Sequence, residues 1–176
     1  VGALETLQEL LNLPTLPRRI EGYDISNTQG ALSVASEVVM VDGVSANREY
    51  RRYRIKTVEG ANDFASMYEV ITRRLSHGLD ALAERKAQGL DPQGGKFSWL
   101  PDLILVDGGR GQLAAAQEAM QAQGLNIPMI GLAKRIEEIV LPGENESLLL
   151  DRHSPALHVL QRVRDESHRF AIIHHR

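Results

Sequence analysis

Leu103, Ile104, Leu105 and Val106 form an unbroken apolar run that ends at Asp107 and the glycines Gly108 and Gly109. A strand with no polar alternation has to be covered on both faces, so this segment belongs in the centre of a sheet. The glycines turn the chain into a helical pattern over about residues 112–123, and a second apolar run follows at residues 127–132. Buried strands alternating with helices require helical layers against a sheet, which is the α/β class. The chain can fill such a layered core, with 176 residues of which 43% are hydrophobic and 24% charged.

Three strand-like runs precede this unit. The first covers residues 19–26 and the second residues 31–41, with a turn at residues 27–30 between them. Asp42-Gly43 is a strong hairpin signal, and the third run covers residues 49–56. In that third run Tyr50, Arg52, Arg54 and Lys56 share one face, and Arg51, Tyr53 and Ile55 the other. The three should form an antiparallel meander. Asn62 or Asp63 caps a long helix toward Ala87, and residues 89–98 read as a loop. Residues 138–150 suggest an irregular hairpin around Pro142-Gly143. Ser154-Pro155 opens a last helix that runs past His168. Ahead of everything, Leu4, Leu7, Leu10 and Leu11 have helical spacing, and Pro14 and Pro17 end that segment. The expected organisation is a lead-in helix and linker over 1–18, then one domain over 19–176. That domain has a mixed five-stranded sheet, three antiparallel strands followed by β-α-β-α, with a possible extra small hairpin.

Several classes are excluded. With no cysteine there is no disulfide framework, thiolate zinc site or cysteine nucleophile. No apolar run approaches the roughly 18 residues of a membrane-spanning helix, and no secretory signal opens the chain. Val1 stands where a Met would start a complete chain, which reads as a piece of something longer. The net charge of -3 is silent on partners, because a basic groove can sit on an acidic body.

Two aspartates stand out. Asp24 lies inside the first strand, between Tyr23 and Ile25, and Asp107 ends the apolar run. A carboxylate beside an apolar strand is costly to desolvate unless something positive meets it. Turn amides or an Arg partner would explain either one alone. Two of them on adjacent strands call for a cation between them, and hard Mg²⁺ or Mn²⁺ suits such oxygens. Asp165 and His168, three apart, share a face of the last helix, where a plain solvated face is the alternative. Gly109-Arg110-Gly111-Gln112-Leu113-Ala114 matches the weak dinucleotide pattern, but Asp107 would then face the pyrophosphate and no ribose-binding acid follows the next strand. A tight β-to-α turn explains these glycines. Arg48, Arg51, Arg52, Arg54 and Lys56 are interleaved with Tyr50 and Tyr53, a pattern suited to phosphate contact and base or sugar packing, or to a solvated strand.

Five blocks now stand in order: Tyr23 to Gly30, Tyr50 to Lys56, Asp63 to Met67, Leu100 to Gly109, and His168 to Ala171. Together they resemble the C-terminal nuclease domain of the UvrC family of excinuclease components, over about residues 19–176. The resemblance implies a ribonuclease H-like fold and a DNA endonuclease that makes the 5′ incision in bacterial nucleotide excision repair. It implies Asp24, Asp107 and His168 as catalytic residues and as ligands for Mg²⁺ or Mn²⁺. Damaged double-stranded DNA would be the substrate, the excinuclease component UvrB a partner through parts outside this chain, and the bacterial cytoplasm the location, with no membrane and no nucleotide cofactor. Phosphate contacts are expected from Arg51, Arg52, Arg54, Lys56, Lys134, Arg164 and Arg169. The family often has His at Asn27 and Ala at Ser167. A ribonuclease H-like module that binds DNA without cutting is the alternative, and a dinucleotide-binding domain a more distant one.

Overall fold

A computed structural model describes residues 2–27, 33–56 and 62–174. The helix α1 (Gly2–Leu11) leads into β1 (Arg19–Ser26), β2 (Val34–Val41), β3 (Val44–Ser45) and β4 (Arg51–Arg54). Then come α2 (Asp63–Ala87), β5 (Leu103–Asp107), α3 (Arg110–Ala122), β6 (Met129–Leu132), β7 (Glu138–Val140), β8 (Leu148–Leu149) and α4 (Pro155–His174). The expected turn at 27–30 lies largely outside the described residues.

Among the described residues one sheet runs β3-β2-β1-β5-β6-β7-β8, with β4 paired to β2. β1 and β2 are antiparallel along their whole length, whereas β1–β5 and β5–β6 are parallel. The third meander strand is split. Asp42 and Gly43 both have positive φ, 52° and 81°, as a two-residue hairpin turn that follows strand twist requires. This turn starts β3, and a single turn of 3-10 helix at Asn47–Glu49 intervenes before β4 resumes the pairing. The small hairpin is β7–β8, and it extends the sheet by antiparallel pairing of β7 to β6.

Alternation along the strands divides the core into two. Ile20, Leu103, Leu105, Ile130 and Leu132 pack under α4 and α1. Tyr23, Ile104, Val106 and Met129 pack under α2 and α3. Leu4 and Leu7 of α1 are buried in the first of these clusters, together with Leu157 and Leu160 of α4. Asn62 caps α2 by accepting from the Ala65 N–H at 3.1 Å. A close helix-to-sheet approach occurs at Gly22, where a Cβ would stand 2.6 Å from Val163 Cγ1 and 3.2 Å from Val38 Cγ2. Only glycine lets α4 lie that low on β1, two residues before Asp24.

Candidate active site

Parallel pairing of Tyr23 with Val106 brings the next residues on each strand, Asp24 and Asp107, side by side on the α4 face. α4 crosses that face and presents His168. One ligand atom from each of Asp24, Asp107 and His168 lies within 4.8 Å of the other two. His168 Nε2 and Asp107 Oδ2 are hydrogen-bonded at 2.5 Å. One turn back on the same helix, Arg164 stands 3.8 Å from the other oxygen of Asp107 and donates to the Lys134 carbonyl at 3.3 Å. Asp107 is thus gripped from both sides by α4. Asp24 has less support: burial first, and then the charge of Asp107, push its carboxyl up to about 6, against a smaller opposing effect of His168. Two carboxylates and an imidazole, converging from separate elements with surplus negative charge, are a donor set that fits a hard divalent cation.

A short hydrogen-bonded chain runs past the ends of β1 and β5. Asp63 accepts from Asn27 at 2.8 Å and from Gln112 at 3.4 Å. Gln112 packs so tightly against Gly108 that a Cβ there would meet its amide at 2.5 Å. Asp63 therefore ties the first turn of α2 to the ends of both carboxylate-bearing strands.

The basic residues expected to touch phosphate are distributed unevenly. Asp24 pairs with Ser36, and Ser36 with Arg52, so Arg52 and Arg54 lie on the Asp24 face. Arg52 stacks 3.8 Å from the Phe170 ring centre and donates to the Phe170 carbonyl at 3.1 Å. Arg51 lies on the opposite face, 5.2 Å over Phe97. Lys56 and Lys134 are exposed. Arg169 is exposed and makes two bonds to Glu166, at 2.9 and 3.0 Å. Glu166 also accepts from Tyr50 at 2.7 Å, a tie between β4 and α4.

A second group of charges was not singled out in the sequence. Glu21 and Glu37 are fully buried on the α2 face. Arg74 of α2 gives Glu21 two bonds, at 2.9 and 3.0 Å, and Arg19 gives it a third at 2.7 Å. Tyr23 donates to Glu21 at 2.5 Å and Tyr53 to Glu37 at 2.6 Å. The signal used for Asp24, an acid inside an apolar strand, was equally present at both glutamates.

Compared with known proteins, residues 8–172 match the family model described as the UvrC RNAse H endonuclease domain. The chain belongs to that family. Among curated relatives, UvrABC system protein C of Moorella thermoacetica is 51% identical over 99% of this chain, and that of Thermobifida fusca 48% identical over 99%. This domain spans 27% and 28% of those relatives, about a quarter of their length. Among solved structures, Ciona intestinalis endonuclease V in complex with a 24mer DNA containing an inosine followed by a ribo-adenosine aligns over 92% of the domain and 65% of that chain. With 16% identity and a TM-score of 0.43, that likeness carries no weight here. No described helix is long and apolar enough to cross a membrane.

Proposed function

We propose that this domain hydrolyses a phosphodiester bond of DNA at the Asp24–Asp107–His168 centre, with Mg²⁺ or Mn²⁺ held by those three residues. The observation that carries the reading is the convergence of the three ligand atoms, from β1, β5 and α4, to within 4.8 Å. A divalent cation bound there would make water nucleophilic and offset charge on the phosphate oxygens. The chain's own residues prepare for that. Asp24 and Asp107 supply oxygens whose mutual repulsion favours a cation between them. His168 would give its Nε2 lone pair to a cation there in place of the bond to Asp107. Its side chain is 49% exposed, against 14% for Asp107, which leaves it open to solvent and substrate. Arg164 holds the second oxygen of Asp107 in place.

Arg52, Arg54, Lys56, Lys134, Arg164 and Arg169 serve as the phosphate contacts, with Arg51 contributing from across the strand edge. Such contacts carry no sequence information, which suits cutting at a fixed place relative to damage. In the whole protein the reaction is the 5′ incision of bacterial nucleotide excision repair, in the cytoplasm, on damaged duplex DNA. The cooperation with UvrB is made by parts outside this chain.

The test is nicking of supercoiled plasmid with Mg²⁺ or Mn²⁺ by the wild type and by Asp24→Ala. Metal-dependent nicking by the wild type alone is expected. Absence of both nicking and Mn²⁺ binding in the wild type would overturn the reading in favour of a module that binds DNA without cutting.

A further inference from the structure

The chain has eight aromatic residues, three Phe, four Tyr and one Trp. Six of them are buried or half-buried; Phe64 and Tyr68 are the exposed pair, at 58% and 39%. Both lie in the first two turns of α2, four residues apart and therefore on one side of the helix. Single exposed apolar residues are ordinary on a protein surface. Phe64 differs in two respects. Its ring is seated: a Cβ on Gly111 would stand 2.5 and 2.6 Å from two ring carbons, so the bare backbone of α3 is what makes room for it. It also directly follows Asp63, the residue that bonds Asn27 just past β1 and Gln112 in the first turn of α3. A fixed and accessible ring thus stands beside the centre.

We propose that Phe64 is a stacking platform for a nucleobase of the DNA strand entering the carboxylate–histidine centre, with Tyr68 one turn further along the same path. The inference rests on the nuclease reading and adds a base-contacting position to it. A flat ring fixed by packing loses little freedom on binding, and every base offers a π-face, so such contact is tolerant of sequence. It complements the basic strand β4, which supplies charge but no flat surface on the Asp24 face apart from the already stacked Arg52–Phe170 pair.

The test uses short single-stranded oligonucleotides carrying one 2-aminopurine at successive positions, bound in EDTA so that no cutting occurs. In the wild type one position should show quenched fluorescence. Phe64→Leu, which keeps an apolar side chain and loses the ring, should abolish that quench and weaken binding by roughly five- to tenfold, the low end for one base stacked on an aromatic. Phe64→Tyr should keep both. Gly111→Ala gives an independent check: alanine favours helix over glycine, so α3 stays folded while the new methyl displaces the ring. The quench should fall there although Phe64 is intact. Wild-type-like quenching and affinity in Phe64→Leu, or no oligonucleotide binding by the wild type, would overturn the proposal. Plasmid nicking by the same preparations separates the two readings. Nicking with an unaltered Phe64→Leu profile removes the platform alone, and a Phe64-dependent quench with neither nicking nor Mn²⁺ binding removes the nuclease reading alone.

Discussion

Glu21 and Asp24 stand three residues apart on one strand and meet opposite surroundings. Glu21 points under α2. Burial alone would raise its pKa, but Arg74 and Arg19 outweigh burial and hold its carboxyl down to about 2. Asp24 points under α4, where burial and Asp107 push its carboxyl up to about 6. Neighbouring Glu37 is pushed up to about 8, by burial and then by Glu21, against the opposing charge of Arg74 at 3.5 Å. One face of the sheet thus pairs its charges with one another. The other, among the described residues, leaves two carboxylates against one guanidinium at 3.8 Å and an imidazole. A saturated cluster is consistent with a role in stability, and an unsaturated one with a role in binding.

The largest expected effect follows directly from that contrast. Asp107→Ala should reduce nicking to background while the denaturation midpoint stays near that of the wild type, because relieved repulsion with Asp24 offsets the lost contacts to His168 and Arg164. Unfolding of this variant would place Asp107 among the structural charges instead. Arg74→Ala should do the reverse, costing about 3–5 kcal/mol in urea unfolding by leaving Glu21 buried and short of a partner. Activity per folded molecule should survive, and a loss of nicking without a loss of stability would erase the distinction between the faces. Gly22→Ala tests the geometry that joins them. The added methyl meets Val163, so about 1–3 kcal/mol of overpacking is expected, with a fall in nicking as α4 and His168 lift away.

Smaller effects sharpen the comparison. The folded chain retains a proton on Glu37 that the unfolded chain releases near the ordinary value of 4.5. The unfolded state therefore binds fewer protons between about pH 4.5 and 8, and stability falls as pH rises through that window. Glu21 works in the opposite sense: its contribution is present above 4.5 and is lost as pH falls toward 2. Glu37→Gln should flatten the first slope and leave the second, as read from urea midpoints across pH. Finally, Arg52→Ala should lower the salt dependence of DNA binding by at most about one unit of slope. An unchanged slope would leave Arg52 as a clamp on Phe170 only.

Much of the fold was legible along the chain. The unalternating run at Leu103 to Val106, the Asp42-Gly43 turn, the Asn62 cap and the Ser154-Pro155 start all act locally, and their elements lie where the residues put them. The candidate site residues were legible through the five motif blocks. Their surroundings were not: the family resemblance pointed to Asp24, while nothing local marked which charges Glu21 would meet.

Strand parity determined by itself that Glu21 and Asp24 face opposite ways and that Arg51 and Arg52 do too, because side chains alternate on a pleated strand. What each face would meet was a tertiary decision. The partners of β1 come from far along the chain: Val106 beside Tyr23, Arg74 against Glu21, and Val163 on Gly22. Strand order and the crossing of α4 at Gly22 are set by which apolar faces close on one another. That non-local packing turned two acids of similar sequence context into a buried salt cluster and an open carboxylate pair.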